Sequence, residues 1–188
     1  KSLGGPASGL IVTNEASIAE RLDAIAYPGL TANFDAAKSA ALAMTLLDWK
    51  THGRAYGQAM AETAKALANA LAANGIPVFA RDRGMTNSHQ FAIEAAAFGG
   101  GQNAAKKLRQ ANILACGIGL PIADVEGDLN GLRMGTPEIV RWGMKPGDMP
   151  VLARFISDVL TGKRSAQSVA PEVAAWRAGF NKLHFVRS

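Results

Sequence analysis

The stretch over residues 34–74 constrains the fold of this chain more than any other. It is rich in alanine and places apolar residues at helical spacing, at Ala37, Ala40, Ala41, Met44 and Leu47. The pattern continues to Asn74-Gly75, a pair that typically stops a helix. Asn33 reads as the N-cap, because its side chain can accept from a free amide of the first turn. A helix of about 40 residues would run about 60 Å, which is long for a globular domain. Gly53 and Gly57 are its soft spots. A kink or break is therefore expected near Gly53, where one lobe would hand over to another.

Glycine and proline punctuate the rest. The β-branched run Gly9-Leu10-Ile11-Val12-Thr13 reads as a strand. A short helix over 19–25 should end before Pro28-Gly29. Residues 76–80 read as an edge strand with Pro77 near its start. Residues 89–92 read as a further strand, 103–110 as an amphipathic helix and 113–115 as a short strand. Gly117 and Gly119 should loosen the backbone after it. Residues 132–134 form a strand ended by Gly135-Thr136-Pro137. Lys145-Pro146-Gly147-Asp148 opens a helix whose apolar stripe is Met149, Leu152, Phe155, Ile156, Val159 and Leu160, closed by Gly162. One more helix is expected around Pro171, Val173 and Trp176. This order implies a small α+β lobe, a mostly antiparallel sheet covered by helices.

The 188 residues make one large domain or one and a half small ones, and 48% of them are apolar. The formal charge is +5, but the basic residues are dispersed rather than set in stripes with aromatics between them. No nucleic-acid partner is expected. Cys116 is the single cysteine, so no internal disulfide can form, and it reads as a small buried hydrophobe. The three histidines, His52, His89 and His184, show no zinc-ligand spacing, and no metal site is expected. No run of about 18 apolar residues exists, so no membrane span is expected. No signal peptide is read either, and the expected location is cytoplasmic. Lys1 precedes a turn and a strand at once, without an initiator Met, so the chain is expected to begin inside a larger protein.

Two motifs carry chemistry. In Gly131-Leu132-Arg133-Met134-Gly135-Thr136-Pro137, one cation stands between small, turn-forming residues. Arg presents a planar fork of donors that fits a carboxylate through two parallel hydrogen bonds. In Lys1-Ser2-Leu3-Gly4-Gly5-Pro6, an amine precedes a glycine-rich turn. An amine able to form a Schiff base and an arginine able to hold a carboxylate suit chemistry on an amino acid. The alternative is an assembly or binding domain in which both are ordinary charges.

Set in order, these motifs resemble serine hydroxymethyltransferase, a fold-type I family dependent on pyridoxal phosphate. Its Thr-His-Lys-Thr-Leu-x-Gly-Pro-Arg-Gly-Gly run is similar to residues 1–9. Its Pro-Gly loop and Ala-Lys-Ala helix are similar to Pro28-Gly29 and Ala37-Lys38-Ser39-Ala40. Its Thr-Asp-Asn-His motif is similar to Thr86-Asn87-Ser88-His89, and its Ala-Asn-Ile segment to Ala111-Asn112-Ile113. Its Gly-(Leu/Ile)-Arg-x-Gly-Thr-Pro motif is matched in full by residues 131–137, followed by Arg141 and Gly143. About 150 residues take part, in the same order.

The resemblance implies an α/β fold: the end of a large pyridoxal-phosphate domain over 1–53, then a small α+β domain over 54–188. It implies that Lys1 forms the Schiff base with the cofactor, that Gly29 and Thr31 help to hold that cofactor, and that Arg133 binds the substrate carboxylate. His89 is expected to make a backbone hydrogen bond at a strand end. The family moves a hydroxymethyl group between serine and glycine with tetrahydrofolate as acceptor, and a homodimer or homotetramer with shared sites is expected. Three departures stand out. Ala7 and Ser8 occupy the place of the family's arginine, the loop at 30–34 is shortened, and Ile118 stands where the family has a folate-contacting Asn. The expected function is a hydroxymethyltransferase acting on serine/glycine or α-methylserine/D-alanine. The alternative of the same fold is an aldolase that cleaves a β-hydroxy amino acid without folate.

Overall fold

One helix, α2 (Ala36–Ala73), runs for 38 residues without interruption. The computed structural model describes residues 3–33 and 35–187. At 1.5 Å per residue α2 is about 57 Å long. Its N-cap is Asp35, not Asn33: the Asp35 carboxylate accepts from the Lys38 amide at 3.3 Å. Asp35 is the extended residue directly before the first helical one, which is the geometry a cap needs. No break occurs at Gly53. That glycine makes room for a ring instead, because a Cβ there would stand 2.7 Å from Cε3 of Trp49.

Before α2 lie α1 (Ala16–Ala24) and a π-helical turn, Ile25–Leu30, that contains Pro28 and Gly29. The strand expected at 9–13 does not form. Ile11 and Val12 are 73% and 81% exposed, and among the described residues they pair with no strand of the sheet. A β-branched run without a partner gains nothing from extended pairing. The N-terminal half of α2 is also exposed; its buried residues begin at Tyr56 and continue through Met60, Thr63, Ala64, Leu67, Ala68 and Leu71.

That buried stripe packs on the later helix Met149–Leu160 and on the first strand of a three-stranded sheet. The strands are β1 (Gln90–Glu94), β2 (Cys116–Ile118) and β3 (Gly131–Gly135), in the order β1-β3-β2 with both pairings antiparallel. The short strand expected at 113–115 starts three residues later. Asn112 takes a left-handed φ of 61° and the Ile113 amide returns to the Leu108 carbonyl, so these residues close the preceding helix α3 (Gly101–Arg109). The expected edge strand at 76–80 reduces to a single antiparallel bridge, Val78 to Ile93. Ala80, at φ 55°, turns the chain away. Gly117, read as a loose joint, lies inside β2.

After β3 come α4 (Pro137–Arg141), a 3-10 turn at Pro146–Asp148, α5 (Met149–Leu160) and α6 (Ala166–Ala178). Leu132 and Met134 of β3 and Phe91 and Ile93 of β1 face the helices. They join Leu67 and Leu71 of α2, Leu108 of α3 and Phe155, Ile156 and Val159 of α5 in one core. Burying each such side chain contributes about 1.5–3 kcal/mol. This core fixes the sheet against the helices and leaves the other face of β3 to the site. Among the described residues no helix is long and apolar enough to cross a membrane.

Candidate active site

The side chains of a strand alternate between its two faces. With Leu132 and Met134 committed to the core, Arg133 must point the other way. Its partners across the sheet are Ala92 on β1 and Cys116 on β2. Its neighbours along the strand on that face are Gly131 and Gly135. All four are small, and Arg133 lines the cavity on this face. Arg133 is half-buried, and among the described residues no carboxylate lies within ion-pair distance of it. A guanidinium in this position has the donors to hold an external anion.

The Thr-Pro half of the motif anchors this geometry. Thr136 is fully buried; its hydroxyl donates to the Met60 carbonyl on α2 at 2.7 Å and its amide to the His89 carbonyl at 3.0 Å. Pro137 begins α4, where its fixed φ is preorganised and no amide is lost. The Tyr56 hydroxyl then donates to the Pro137 carbonyl at 2.8 Å. Three bonds thus tie the corner between β3 and α4 to α2 and to the start of β1.

Arg133 opens into a cavity of about 710 Å³. Gly4, Gly5, Asp48, His89, Gln90, Cys116, Glu138 and Arg141 share its wall, with Leu183 and Val186 on a segment that follows α6. Cys116, expected to be buried, is half-buried on this wall. His89 lies just before β1, also on the wall, with its carbonyl held by Thr136. The Trp49 indole donates to the Leu3 carbonyl at 2.9 Å and so fixes the glycine turn beside the cavity. Arg141 stands 4.6 Å over the Tyr56 ring, a cation–π contact. Its tip also reaches the Gly4 backbone, where φ is 71° and an added Cβ would stand 3.0 Å from its Nη2. Asp48 accepts from the Arg187 amide, and that bond holds its carboxyl below the ordinary carboxylate range.

The structure brings some of the expected site residues together and not others. Arg133 and the Gly4-Gly5 turn share one cavity. Lys1 lies outside the described residues. Gly29 and Thr31 sit at the exposed π-helical turn, away from this wall, and the Thr31 hydroxyl donates to the Ala26 carbonyl at 2.5 Å. Ile118 lies on β2 but not on the cavity wall. Asp48, Tyr56, Glu138, Leu183 and Val186 had no motif to mark them; they meet only through the tertiary fold. No group of described residues is arranged to hold a metal ion.

A cavity of this size matches a small-molecule site with a few convergent polar groups. The donor set suits pyridoxal phosphate with an attached amino acid: an arginine with no carboxylate partner among the described residues, beside a glycine turn that begins three residues after Lys1.

No family model matches the chain. Among curated proteins, it is 65% identical over 187 residues to an α-methylserine aldolase from Ralstonia sp, covering 100% of this chain and 43% of that protein. An α-methylserine aldolase from Variovorax paradoxus is 64% identical over 186 residues, covering 99% of this chain and 42% of the relative. The serine hydroxymethyltransferase of Staphylothermus marinus is 37% identical over 187 residues, covering 98% of this chain and 43% of the relative. The chain therefore spans less than half the length of the curated relatives it matches. Among solved structures, L-threonine transaldolase from Pseudomonas fluorescens superposes with a TM-score of 0.83 at 24% identity, covering 99% of this chain and 43% of the other. That likeness establishes the fold, which is the fold-type I architecture of pyridoxal-phosphate enzymes. By sequence the chain is homologous to α-methylserine aldolases and serine hydroxymethyltransferases over less than half of their length, and its fold is that of the fold-type I pyridoxal-phosphate enzymes.

Proposed function

We propose that this chain is part of a pyridoxal-phosphate-dependent aldolase that cleaves α-methylserine to alanine and formaldehyde without tetrahydrofolate. The observation that carries the reading is Arg133, on a cavity wall with small sheet neighbours and no carboxylate partner among the described residues, in a chain 65% identical to an α-methylserine aldolase. The folate-dependent transfer expected first from the motifs gives way to its alternative, because the more similar relatives bear the aldolase name. Ile118 supports the same choice, since an apolar side chain cannot replace a directed hydrogen bond to a pterin.

In this reaction the Cα–Cβ bond breaks. The β-hydroxyl gives up its proton as formaldehyde leaves, and Cα takes up a proton to give alanine. Pyridoxal phosphate, when bound, supplies the conjugated sink for the electron pair left at Cα. The residues of this chain orient and hold. Arg133 grips the carboxylate in two parallel bonds and so fixes which bond at Cα breaks. The Thr136 and Tyr56 hydrogen bonds keep Arg133 and the Pro137 turn in register with α2. Lys1 is the proposed cofactor lysine, and Gly29 and Thr31 are the proposed contacts to a cofactor at a neighbouring subunit. His89, Cys116 and Glu138 are titratable groups of the same wall, beside Asp48, which Arg187 holds.

Residues 1–53 are read as the end of a larger cofactor-binding domain and 54–188 as the small domain. The exposed Leu10, Ile11, Val12, Met44, Leu46 and Leu47 form the surface that the larger part, or a second subunit of a homo-oligomer, would cover. The test is the visible absorbance of the full-length protein with pyridoxal phosphate, titrated with α-methylserine. A band that responds in the native protein and not in Arg133→Ala supports the reading. No band with any amino acid would leave a binding domain as the better account.

A further inference from the structure

Residues 181–187 form neither helix nor strand, yet the chain is fastened at three places. The His184 amide donates to the Arg141 carbonyl at 2.8 Å. Its imidazole lies on Gly143, where φ is 90° and an added Cβ would stand 2.6 Å from Nε2. Phe185, itself at φ 58°, stacks on Tyr56 with ring centroids 5.2 Å apart. Finally, Asp48 Oδ1 accepts from the Arg187 amide at 3.0 Å and from its Nε at 3.3 Å. The Asp48 side chain is only 19% exposed in this pair. Segments beyond the last helix of a domain are poorly ordered unless they are tied down. This one is tied to α2, α4 and the turn after α4, and the ties hold Leu183 and Val186 against the cavity that Arg133 enters.

The wall near Arg133 carries Cys116, Gly135 and Glu138, and its aliphatic side chains are Leu114, just before β2, and Leu183 and Val186 on this fastened segment. Aliphatic side chains are suited to meet an apolar substituent and to limit its size. We infer that residues 183–187 are a strap that sets substrate size, with Leu183 and Val186 bounding the space for the alkyl group on Cα and the Asp48–Arg187 clasp fixing that wall. The inference rests on the proposed reading of Arg133 as the carboxylate site and deepens it. The strap also explains why a left-handed glycine is needed at 143: a side chain there would push His184 off its seat and the wall with it.

The test uses the full-length protein with pyridoxal phosphate and two unreactive probes, isovaline and 2-amino-2-ethylbutyrate. Each carries one ethyl group where the hydroxymethyl group would sit, they differ by one methylene in the second alkyl group, and they lack the β-hydroxyl, so calorimetry reads binding alone. One methylene in an apolar pocket changes affinity by about 10- to 200-fold. The native protein should therefore prefer isovaline. Val186→Ala should shrink that preference about 10-fold or more, and Val186→Leu should widen it. Asp48→Ala, which frees the clasp without touching Val186, should shrink it as well and should speed proteolysis within 183–187. Arg133→Ala should remove binding of both probes. A preference unchanged in Val186→Ala and Asp48→Ala, with Arg133→Ala still abolishing binding, would overturn the strap and leave the carboxylate site standing. Full binding in Arg133→Ala would overturn both.

Discussion

Replacing Arg133 with alanine separates two roles that an arginine on a strand can play. A structural arginine is paired within the protein, and its loss costs stability. Arg133 has no carboxylate within ion-pair distance among the described residues, and its neighbours on the sheet face are Ala92, Cys116, Gly131 and Gly135. Its removal should therefore shift unfolding free energy by no more than about 0.5 kcal/mol. Binding is another matter. Truncating one partner of a hydrogen-bonded charge pair costs about 2–5 kcal/mol, or about 30- to 5,000-fold in the dissociation constant of an amino acid. Arg133→Lys keeps the charge and loses the parallel second bond, so it should fall between the two. The assay is calorimetric titration of full-length protein with alanine, beside denaturant unfolding. 2-Amino-2-methylpropanol, which lacks the carboxylate, serves as control and should bind the variant as it binds the native protein. A variant that loses more than about 2 kcal/mol of stability while binding alanine normally would refute the reasoning.

Thr136→Val should lower stability by about 1 kcal/mol, since a fully buried hydroxyl that donates to the Met60 carbonyl is lost; Thr136→Ser should restore most of it in urea unfolding. Leu132→Ala, at a side chain with no exposure on the central strand, should cost about 2–5 kcal/mol in the same measurement. Asp48 has its folded carboxyl held below the ordinary value, first by the Arg187 amide. The clasp is therefore fully present above the unfolded carboxylate value and is lost as pH falls through the lower folded one. Protection against hydrogen exchange at 183–187, corrected for the intrinsic pH dependence of amide exchange, should be flat from about pH 5 to 8 and fall only in stronger acid. A fall near neutral pH would mean that another group controls the strap.

Much of the small domain was legible because its signals are local. The stripe on α5 and the breaker at Gly162 place a helix wherever they occur, and the Gly-Leu-Arg-x-Gly-Thr-Pro run places a strand and its corner. Arg133 stood out for the same reason, an odd cation among small residues, and the structure places it on a cavity wall. Gly53 misled, because a glycine inside a helix reads as a weak joint when its service is to seat Trp49. The run at 9–13 misled because strand propensity says nothing of whether a partner strand is near. Asp48 and Val186 were out of reach from sequence. They are separated by more than a hundred positions, and only the packing of residues 183–187 on α2 makes them neighbours of one cavity. Cys116 was misjudged on residue type alone; its burial is set by the register that pairs it with Arg133.

The most direct measurement is formaldehyde release from α-methylserine by the full-length protein with pyridoxal phosphate, run with and without tetrahydrofolate. Release of formaldehyde and alanine in equal amounts at a rate independent of tetrahydrofolate is the expected result. Turnover that requires tetrahydrofolate, or none with α-methylserine alongside cleavage of serine, would contradict the aldolase assignment.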